Sequence, residues 1–176
     1  MDDSLVLVDL FDNEIGKASK EEVHDKGLLH RAFSLFIVHD GKMLIQKRNV
    51  NKYHSGGLWT NACCSHPRCG ESLDEAVTRR VKEELGITAQ FREVHSFVYR
   101  SVFNNGITEY EYDHVFISDY FGDIEPDEDE VEEYRWIGLG ELAEDMLNNP
   151  GNYTVWFQIA APKVMELVYE SAKEDN

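Results

Sequence analysis

Two β-hairpin signals restrict the fold of this chain more than any other feature of its sequence. Residues 31–48 contain two apolar runs around a central Asp-Gly pair, and residues 91–120 contain two runs around Asn-Gly. Such dipeptides favour the tight turns that join antiparallel strands. Shorter strands are expected at 5–10 and at 134–139. The sequence therefore predicts a sheet built around two hairpins.

Helical segments lie between and after these hairpins. In GESLDEAVTRRVKEELGI, residues 70–87, apolar side chains recur at helical spacing before a natural stop at Gly86. Another helix is expected at 141–149, and a terminal one, interrupted or kinked at Pro162, at 154–174. Strands and helices intermix without regular β-α-β alternation. This order favours an α+β fold with a mixed sheet over a doubly wound fold.

Composition limits the class of protein. A chain of 176 residues with 42% hydrophobic residues is expected to form a single domain, residues 1–176. Its formal net charge of −17 argues against a nucleic-acid partner, because phosphates require clustered Lys and Arg. No apolar run approaches the roughly 18 residues of a membrane span, and the acidic start MDDSLVLVDLFDNE does not resemble a secretory signal. We therefore expect a cytoplasmic protein.

Three cysteines and a histidine crowd into WTNACCSHPRCGE, residues 59–71. A disulfide framework would spread its partners along the chain, so this cluster indicates a metal site or catalysis. A structural zinc module normally has ligand pairs spaced C-x₂₋₄-C with a second pair further along, and no second Cys pair exists here. A redox role is weaker still, because no C-x-x-C occurs. A catalytic thiol beside a metal ligand is the third interpretation.

The helical segment 70–87 carries a pattern of charges. Glu71 is followed at fixed intervals by Arg79, a Glu-Glu pair at 83–84, Gly86 and Ile87. Carboxylates one helical turn apart share a face and can hold Mg²⁺ on a diphosphate. An ordinary solvent-exposed helix face would show similar charges, so the pattern alone leaves both interpretations open.

This pattern resembles the Nudix box, with two departures. Ser65 stands where the box has a glycine, and Arg80 stands where it has a glutamate. The second change replaces a metal-binding anion with a cation that can contact a diphosphate. The box therefore implies diphosphate binding without hydrolysis. A Nudix diphosphohydrolase acting on nucleotides is the nearest rival.

The segments around the box are similar to one family. WTNACCSHP precedes the helix, HDKGLLHRAF lies upstream and GITEYEYDHVF lies downstream. From about Lys20 to Trp156, the chain resembles the type I isopentenyl-diphosphate isomerases. The resemblance implies a Nudix-type mixed β-sheet sandwich flanked by helices. It also implies an enzyme that interconverts isopentenyl and dimethylallyl diphosphate through a tertiary carbocation. Both compounds are small-molecule substrates of isoprenoid biosynthesis. The resemblance further implies a monomer.

The resemblance assigns the chemistry to four side chains. Cys64 and Glu111 would lie on opposite sides of a flat pocket, one adding a proton and the other removing one. Tyr99 would lie near the carboxyl group, and Trp156 would face the cationic carbon through its ring. The two other cysteines are expected to be small buried or incidental side chains.

The resemblance also implies two cations and a set of basic contacts. The first metal, Mn²⁺ or Zn²⁺ with Fe²⁺ also suited, would have six-coordinate geometry. Its ligands would be His24, His30, His66, Glu109 and Glu111. Mg²⁺ on the diphosphate would be held by Glu84, with a backbone carbonyl from Cys64. The diphosphate itself would be bound by Lys20, Arg48, Lys52 and Arg80. The remaining histidines have no motif role and are expected at the surface or in the core: His39, His54, His95 and His114.

Overall fold

The computed structural model describes residues 4–174. Nine strands and four α-helices follow one another along the chain. They are β1 Leu5–Val8, β2 Glu14–Ala18, α1 Lys20–Lys26, β3 His30–His39, β4 Lys42–Arg48, β5 Trp59–Thr60, β6 Cys63–Ser65, α2 Leu73–Leu85, β7 Arg92–Val102, β8 Thr108–Ser118, β9 Val131–Gly138, α3 Leu139–Asn148 and α4 Val155–Glu174. A short 3₁₀ helix, Pro150–Asn152, precedes α4.

The strands form one mixed sheet with β3 at its centre. β3 runs parallel to β8 over residues 30–37 and also pairs antiparallel with β1, β6 and β4 in turn. β7 pairs with β8 to form one hairpin, and β4 pairs on its other side with β9. The mixed sheet and its helices confirm the predicted α+β arrangement.

Helices cover both faces of this sheet. Leu35 and Ile37 of β3 belong to the buried apolar cluster that contains the inner face of α2. Phe36 and Val38 belong to the cluster that contains the inner face of α4. Successive side chains of a strand point to opposite faces, so the apolar run in β3 serves both cores at once.

The helix α2 begins and ends at residues that its sequence specifies. The Ser72 hydroxyl accepts a hydrogen bond from the Glu75 backbone N–H, and the Glu75 carboxylate accepts one from the Ser72 N–H. Gly86 ends the helix with φ of 69°, in the left-handed region. A Cβ at Gly86 would lie 2.8 Å from the Glu125 carbonyl oxygen, so no larger residue fits against that segment.

Both hairpins and all three predicted helices are present, with shifted ends. The first strand ends at Val8, whereas the strand predicted at 134–139 begins earlier, at Val131. The helix α4 continues through Pro162, so of the two predicted alternatives the interruption was wrong, and the kink stays a prediction. The strands β2, β5 and β6 and the helix α1 were not predicted.

None of the helices within residues 4–174 has the length and apolar character that a membrane span requires. The first three residues of the N-terminal segment MDDSLVLVDLFDNE, and both ends of the predicted 1–176 domain, lie outside the described residues.

Candidate active site

A pocket of about 150 Å³ opens beside the centre of the sheet. Most of the residues predicted for the site line it: Lys20, Arg48, Lys52, Cys64, His66, Arg80, Glu84, Glu109, Glu111 and Trp156. The other three, His24, His30 and Tyr99, contact the two glutamates of its wall. The fold therefore brings all the predicted residues to one place.

The strand β8 supplies three acidic side chains to this region. Glu109, Glu111 and Asp113 are two residues apart and therefore project to one face of the strand. All three are buried, with relative exposures of 1%, 8% and 0%. Carboxyl groups are almost never so deeply buried without partners. Their neighbours therefore decide what this face can do.

Glu109 lies among imidazoles. Its Oε2 is 3.2 Å from His24 Nε2 and 3.7 Å from His30 Nε2. Ligand atoms of His24, His30, His66 and Glu109 all lie within 4.8 Å of one another. Burial opposes ionisation of Glu109, but the His24 and His54 imidazoles beside its two oxygens hold its pKa below the usual range.

Three atoms of this cluster have no hydrogen-bond partner among residues 4–174. They are His24 Nε2, His30 Nε2 and Glu109 Oε2, and all three are buried. A buried polar atom without a partner is costly and needs an explanation. Imidazole nitrogens and carboxylate oxygens that converge in this way are suitable ligands for a divalent transition metal. The residues present therefore fit the cation that the resemblance implies.

The turn at Gly27 brings the first two histidines together. His24 lies in the last turn of α1, Gly27 ends that helix with φ of 61°, and His30 begins β3. The two rings are 5.3 Å apart, centroid to centroid. The Nδ1–H of His30 donates to the Leu28 carbonyl oxygen at 2.9 Å, which directs Nε2 towards Glu109. The sharp turn, rather than sequence proximity alone, therefore determines the geometry of this pair.

Glu111 has two partners of a different kind. The Tyr99 hydroxyl donates to its Oε2 at 2.7 Å, and His66 Nε2 lies 2.8 Å from its Oε1. Burial, together with the nearby charge of Glu109, raises the pKa of Glu111. Burial also raises the pKa of Asp113, to which the Ser34 hydroxyl donates. A raised pKa brings the protonated form of Glu111 closer to neutral pH, as acid–base chemistry requires.

Cys64 occupies the neighbouring short strand. It pairs with Ser34 of β3, and its Sγ is 4.0 Å from Arg48 Nη1. Burial raises the pKa of the Cys64 thiol to about 12. The side chain is therefore a neutral thiol at neutral pH, able to donate a proton. The Arg48 guanidinium lies over the Trp156 ring, 5.3 Å from its centroid.

Basic groups also line the pocket. Arg80 contacts Glu83 at 2.6 Å, Glu84 at 2.5 Å and Glu130 at 3.4 Å. Lys52 also forms an ion pair with Glu130. Lys20 lies over the Tyr53 ring, and burial lowers its pKa. Acids therefore already compensate much of the positive charge that would bind a diphosphate.

Comparisons with known proteins identify the family. Residues 28–157 match the family described as NUDIX domain. A relative from Photorhabdus laumondii, named isopentenyl-diphosphate Delta-isomerase 2, is 51% identical over 161 residues, covering 90% of each chain. A relative from Burkholderia multivorans, named isopentenyl-diphosphate Delta-isomerase, is 46% identical over 158 residues, covering 89% of this chain and 90% of that one. This chain belongs to the isopentenyl-diphosphate Delta-isomerase family of Nudix proteins.

The fold of this isomerase family extends to more distant proteins. A solved structure from Deinococcus radiodurans superimposes with a TM-score of 0.75 at 14% identity, covering 91% of this chain and 98% of that one. Such low identity shows the fold alone. The family match and the named relatives confirm the resemblance to a Nudix-fold isomerase family.

In this isomerase-family chain, the Nudix box has a largely structural arrangement. Arg79 makes two hydrogen bonds to Glu71, at 2.7 and 2.8 Å, and a longer one to Glu83. Among the described residues, Glu84 is the one box carboxylate that lines the pocket. Arg80 occupies the space between it and Glu130. At position 80 the box has a glutamate, which would be a third acid beside Glu84 and Glu130. This chain has the cation Arg80 there instead.

Sequence reasoning missed several residues that line the pocket, among them His54 and Glu130. His54, expected at the surface or in the core, lines the pocket with its Nε2 2.8 Å from Glu109 Oε1. Glu130 lies in an acidic segment and contacts both Lys52 and Arg80. Both residues come from loops, which have no periodic pattern that could indicate the direction of a side chain.

Proposed function

We propose that this protein interconverts isopentenyl diphosphate and dimethylallyl diphosphate, as the names of its relatives state for those proteins. The observation that carries the proposal is one pocket lined by a neutral, partly buried thiol, Cys64, and by a buried carboxyl group of raised pKa, Glu111. The thiol is protonated at neutral pH, and burial of Glu111 favours the protonated form of its carboxyl group. The pocket also has basic side chains at one end, which suits a diphosphate ester.

Moving the double bond requires one proton to be added and another to be removed. Protonation of the terminal alkene carbon creates a tertiary carbocation at the adjacent carbon. Loss of a proton from the CH₂ group on the other side of that cationic carbon then completes the shift of the double bond. We assign these two transfers to Cys64 and Glu111. Because the reaction is reversible, each group serves as acid in one direction and as base in the other.

Other residues would prepare the pocket for this chemistry. Tyr99 donates to Glu111 Oε2 and so fixes the orientation of the carboxyl group. The Trp156 ring, 4% exposed, would stabilise the cation by about 2 kcal/mol in a desolvated pocket. Burial of these groups also excludes water, which would otherwise quench the carbocation.

We assign the first metal site to His24, His30, His66, Glu109 and Glu111. When bound there, Mn²⁺ or Zn²⁺ would withdraw electron density from the Glu111 carboxyl group and hold its orientation. Glu84 and the Cys64 carbonyl would hold the Mg²⁺ that accompanies the diphosphate. Lys20, Arg48, Lys52 and Arg80 would bind the diphosphate oxygens.

The nearest rival is hydrolysis of a nucleotide diphosphate. That reaction needs a set of box carboxylates free to hold metal and activate water. Here Glu71 is engaged by Arg79, and Arg80 stands in place of one acid of the box. Neither Cys64 nor the imidazole cluster would have a part in such a reaction. The isomerase proposal accounts for all of these groups.

We also propose that the chain acts as a single domain and a monomer in the cytoplasm, with a small molecule as its only substrate class. The single sheet to which all nine described strands belong supports a single domain. The free cysteines at 63, 64 and 69 suit the reducing conditions of the cytoplasm. Sedimentation equilibrium would show a mass near 20.3 kDa for the monomer. A mass twice as large would reject it.

The experiment is proton NMR of the purified protein with isopentenyl diphosphate, Mg²⁺ and Mn²⁺ in D₂O, with phosphate release assayed in parallel. New dimethylallyl signals with incorporated deuterium and no phosphate release are expected. Release of phosphate without a new alkene would instead support the hydrolase.

A further inference from the structure

His54 is held on several sides although no motif contains it. It lies in the loop between β4 and β5, and its side chain is only 7% exposed. Its ring stacks on Phe103 with centroids 4.8 Å apart and planes inclined by 20°. The ring also meets Trp156 edge-on at 5.9 Å and Tyr53 edge-on at 4.5 Å. These contacts fix the direction in which its ring nitrogens point.

The fixed ring points at one oxygen of Glu109. His54 Nε2 lies 2.8 Å from Glu109 Oε1, whereas Oε2 of the same carboxylate faces His24 and His30. An ionised carboxylate only accepts hydrogen bonds, so the imidazole N–H is the donor. The two oxygens of Glu109 therefore have different neighbours. Oε1 accepts a hydrogen bond from His54 in the β4–β5 loop, and Oε2 faces the imidazole cluster.

This division matters because the terminal torsion of a glutamate is broad and weakly restrained. Within the described part of the chain, no hydrogen bond holds Glu109 Oε2 itself. A hydrogen bond to Oε1 fixes the plane of the carboxylate and leaves Oε2 directed at His24 Nε2 and His30 Nε2. Without that bond, the carboxylate could rotate away from the cluster.

We propose that His54 is a positioning residue for the metal site, donating from Nε2 to Glu109 Oε1 and thereby orienting Glu109 Oε2 as a ligand. This inference rests on the proposed function only in taking Glu109 as a metal ligand. Residues that orient ligands in this way typically contribute about 10–100-fold to metal affinity. We expect an effect of that size, with an unchanged ligand set.

The test compares the affinity of the protein for Mn²⁺ alone, measured by competition with a chelating dye. His54→Phe keeps an aromatic ring for stacking but removes the donor. His54→Gln retains an N–H at nearly the position of Nε2. His95→Phe, at a partly exposed histidine of β7 outside the pocket, is the matched control.

We expect His54→Phe to bind Mn²⁺ about 10–100-fold more weakly, His54→Gln to recover most of that loss, and His95→Phe to match the unmodified protein. At saturating Mn²⁺, turnover of His54→Phe should return towards that of the unmodified protein, because His54 does not touch the substrate in this account. Where His54→Phe does not fold, His54→Leu replaces it in the same comparison.

Unchanged Mn²⁺ affinity in folded His54→Phe would overturn the proposal. Equal weakness of the Gln and Phe variants would also overturn it, since the donor would then not be what matters. A protein with His54-dependent Mn²⁺ affinity but no isomerisation would retain this inference and reject the proposed function. The two failures are therefore distinguishable.

Discussion

The two ends of the pocket meet the cost of burying charge in different ways. The imidazole end is defined by His24, His30, His66, Glu109 and Glu111. Two of its imidazole nitrogens and one carboxylate oxygen converge there without a hydrogen-bond partner in the described structure. At the basic end, defined by Lys20, Arg48, Lys52 and Arg80, Glu84 and Glu130 already pair with Arg80 and Lys52. The first end is therefore suited to accept a cation, and the second must exchange partners when an anion binds.

This difference indicates what each end of the pocket contributes to binding and turnover. A cation bound among fixed imidazoles needs little rearrangement, so the imidazole end can hold Glu111 in one orientation throughout the reaction. A diphosphate must compete with Glu130 for Lys52 and Arg80, which makes binding at the basic end adjustable. We expect substitutions at the imidazole end to affect turnover or metal binding, and those at the basic end to affect substrate affinity.

The largest effect is expected at the thiol between the two ends. Cys64→Ser should retain substrate binding but lose most turnover, by about 10²–10⁴-fold, because the hydroxyl is a much weaker acid. Steady-state kinetics and a separate binding measurement would show the decrease in kcat without loss of affinity. Cys69→Ser, at a partly exposed cysteine, should remain fully active. Normal turnover of Cys64→Ser would remove the thiol from the mechanism.

Metal binding should stabilise the protein through the imidazole end. A ligand that binds only the folded state adds about 2.7 kcal/mol to the free energy of unfolding at 100 times its Kd. Thermal denaturation with and without Mn²⁺ should therefore show a higher Tm with the metal. His24→Ala should abolish that increase, and His95→Ala should preserve it. An equal increase in both variants would place the metal elsewhere.

A smaller effect is expected at the basic end. Arg80→Gln removes charged contacts to the diphosphate, each worth about 1.5–3 kcal/mol. We expect KM for isopentenyl diphosphate to rise by about 10–100-fold with a smaller change in kcat. Lys82→Ala, at an exposed basic residue of the same helix, is the control and should leave KM unchanged. A decrease confined to kcat would contradict the assigned role of Arg80.

The smallest effect is expected from the competing acid. Glu130→Gln removes the negative charge that pairs with Lys52 and Arg80, so the diphosphate should bind more tightly. Partly exposed ion pairs contribute up to about 1 kcal/mol, so we expect KM to fall by up to about fivefold. Glu132→Gln breaks the ion pair with Lys47, away from the pocket, and should not alter KM. A rise in KM for Glu130→Gln would instead make Glu130 part of the binding site.

Local signals made much of the fold predictable. Asp40 and Gly41 both have positive φ, 46° and 70°, as their turn chemistry predicts, and α2 ends at Gly86. Local signals did not indicate that α4 continues through Pro162, where Ala160, Ala161 and Val164 are buried and their packing offsets the lost backbone hydrogen bond. The short strand β6 has only three residues and shows no period of its own.

The candidate site was predictable only where motifs carry it. Glu109 and Glu111 could be placed on one face because a strand has a period of two. His54 and Glu130 reach the pocket from loops, and their direction depends on contacts with β8 and α2 that are distant in sequence. Such contacts arise from tertiary folding and leave no local pattern.

The central claim is that the imidazole end binds the catalytic transition metal. Anomalous X-ray diffraction from crystals grown with Mn²⁺, recorded on both sides of the manganese absorption edge, tests it directly. We predict one strong peak within bonding distance of His24 Nε2, His30 Nε2 and Glu109 Oε2. A peak among Cys63, Cys64 and Cys69 instead, or no peak in crystals of metal-loaded protein, would contradict the account.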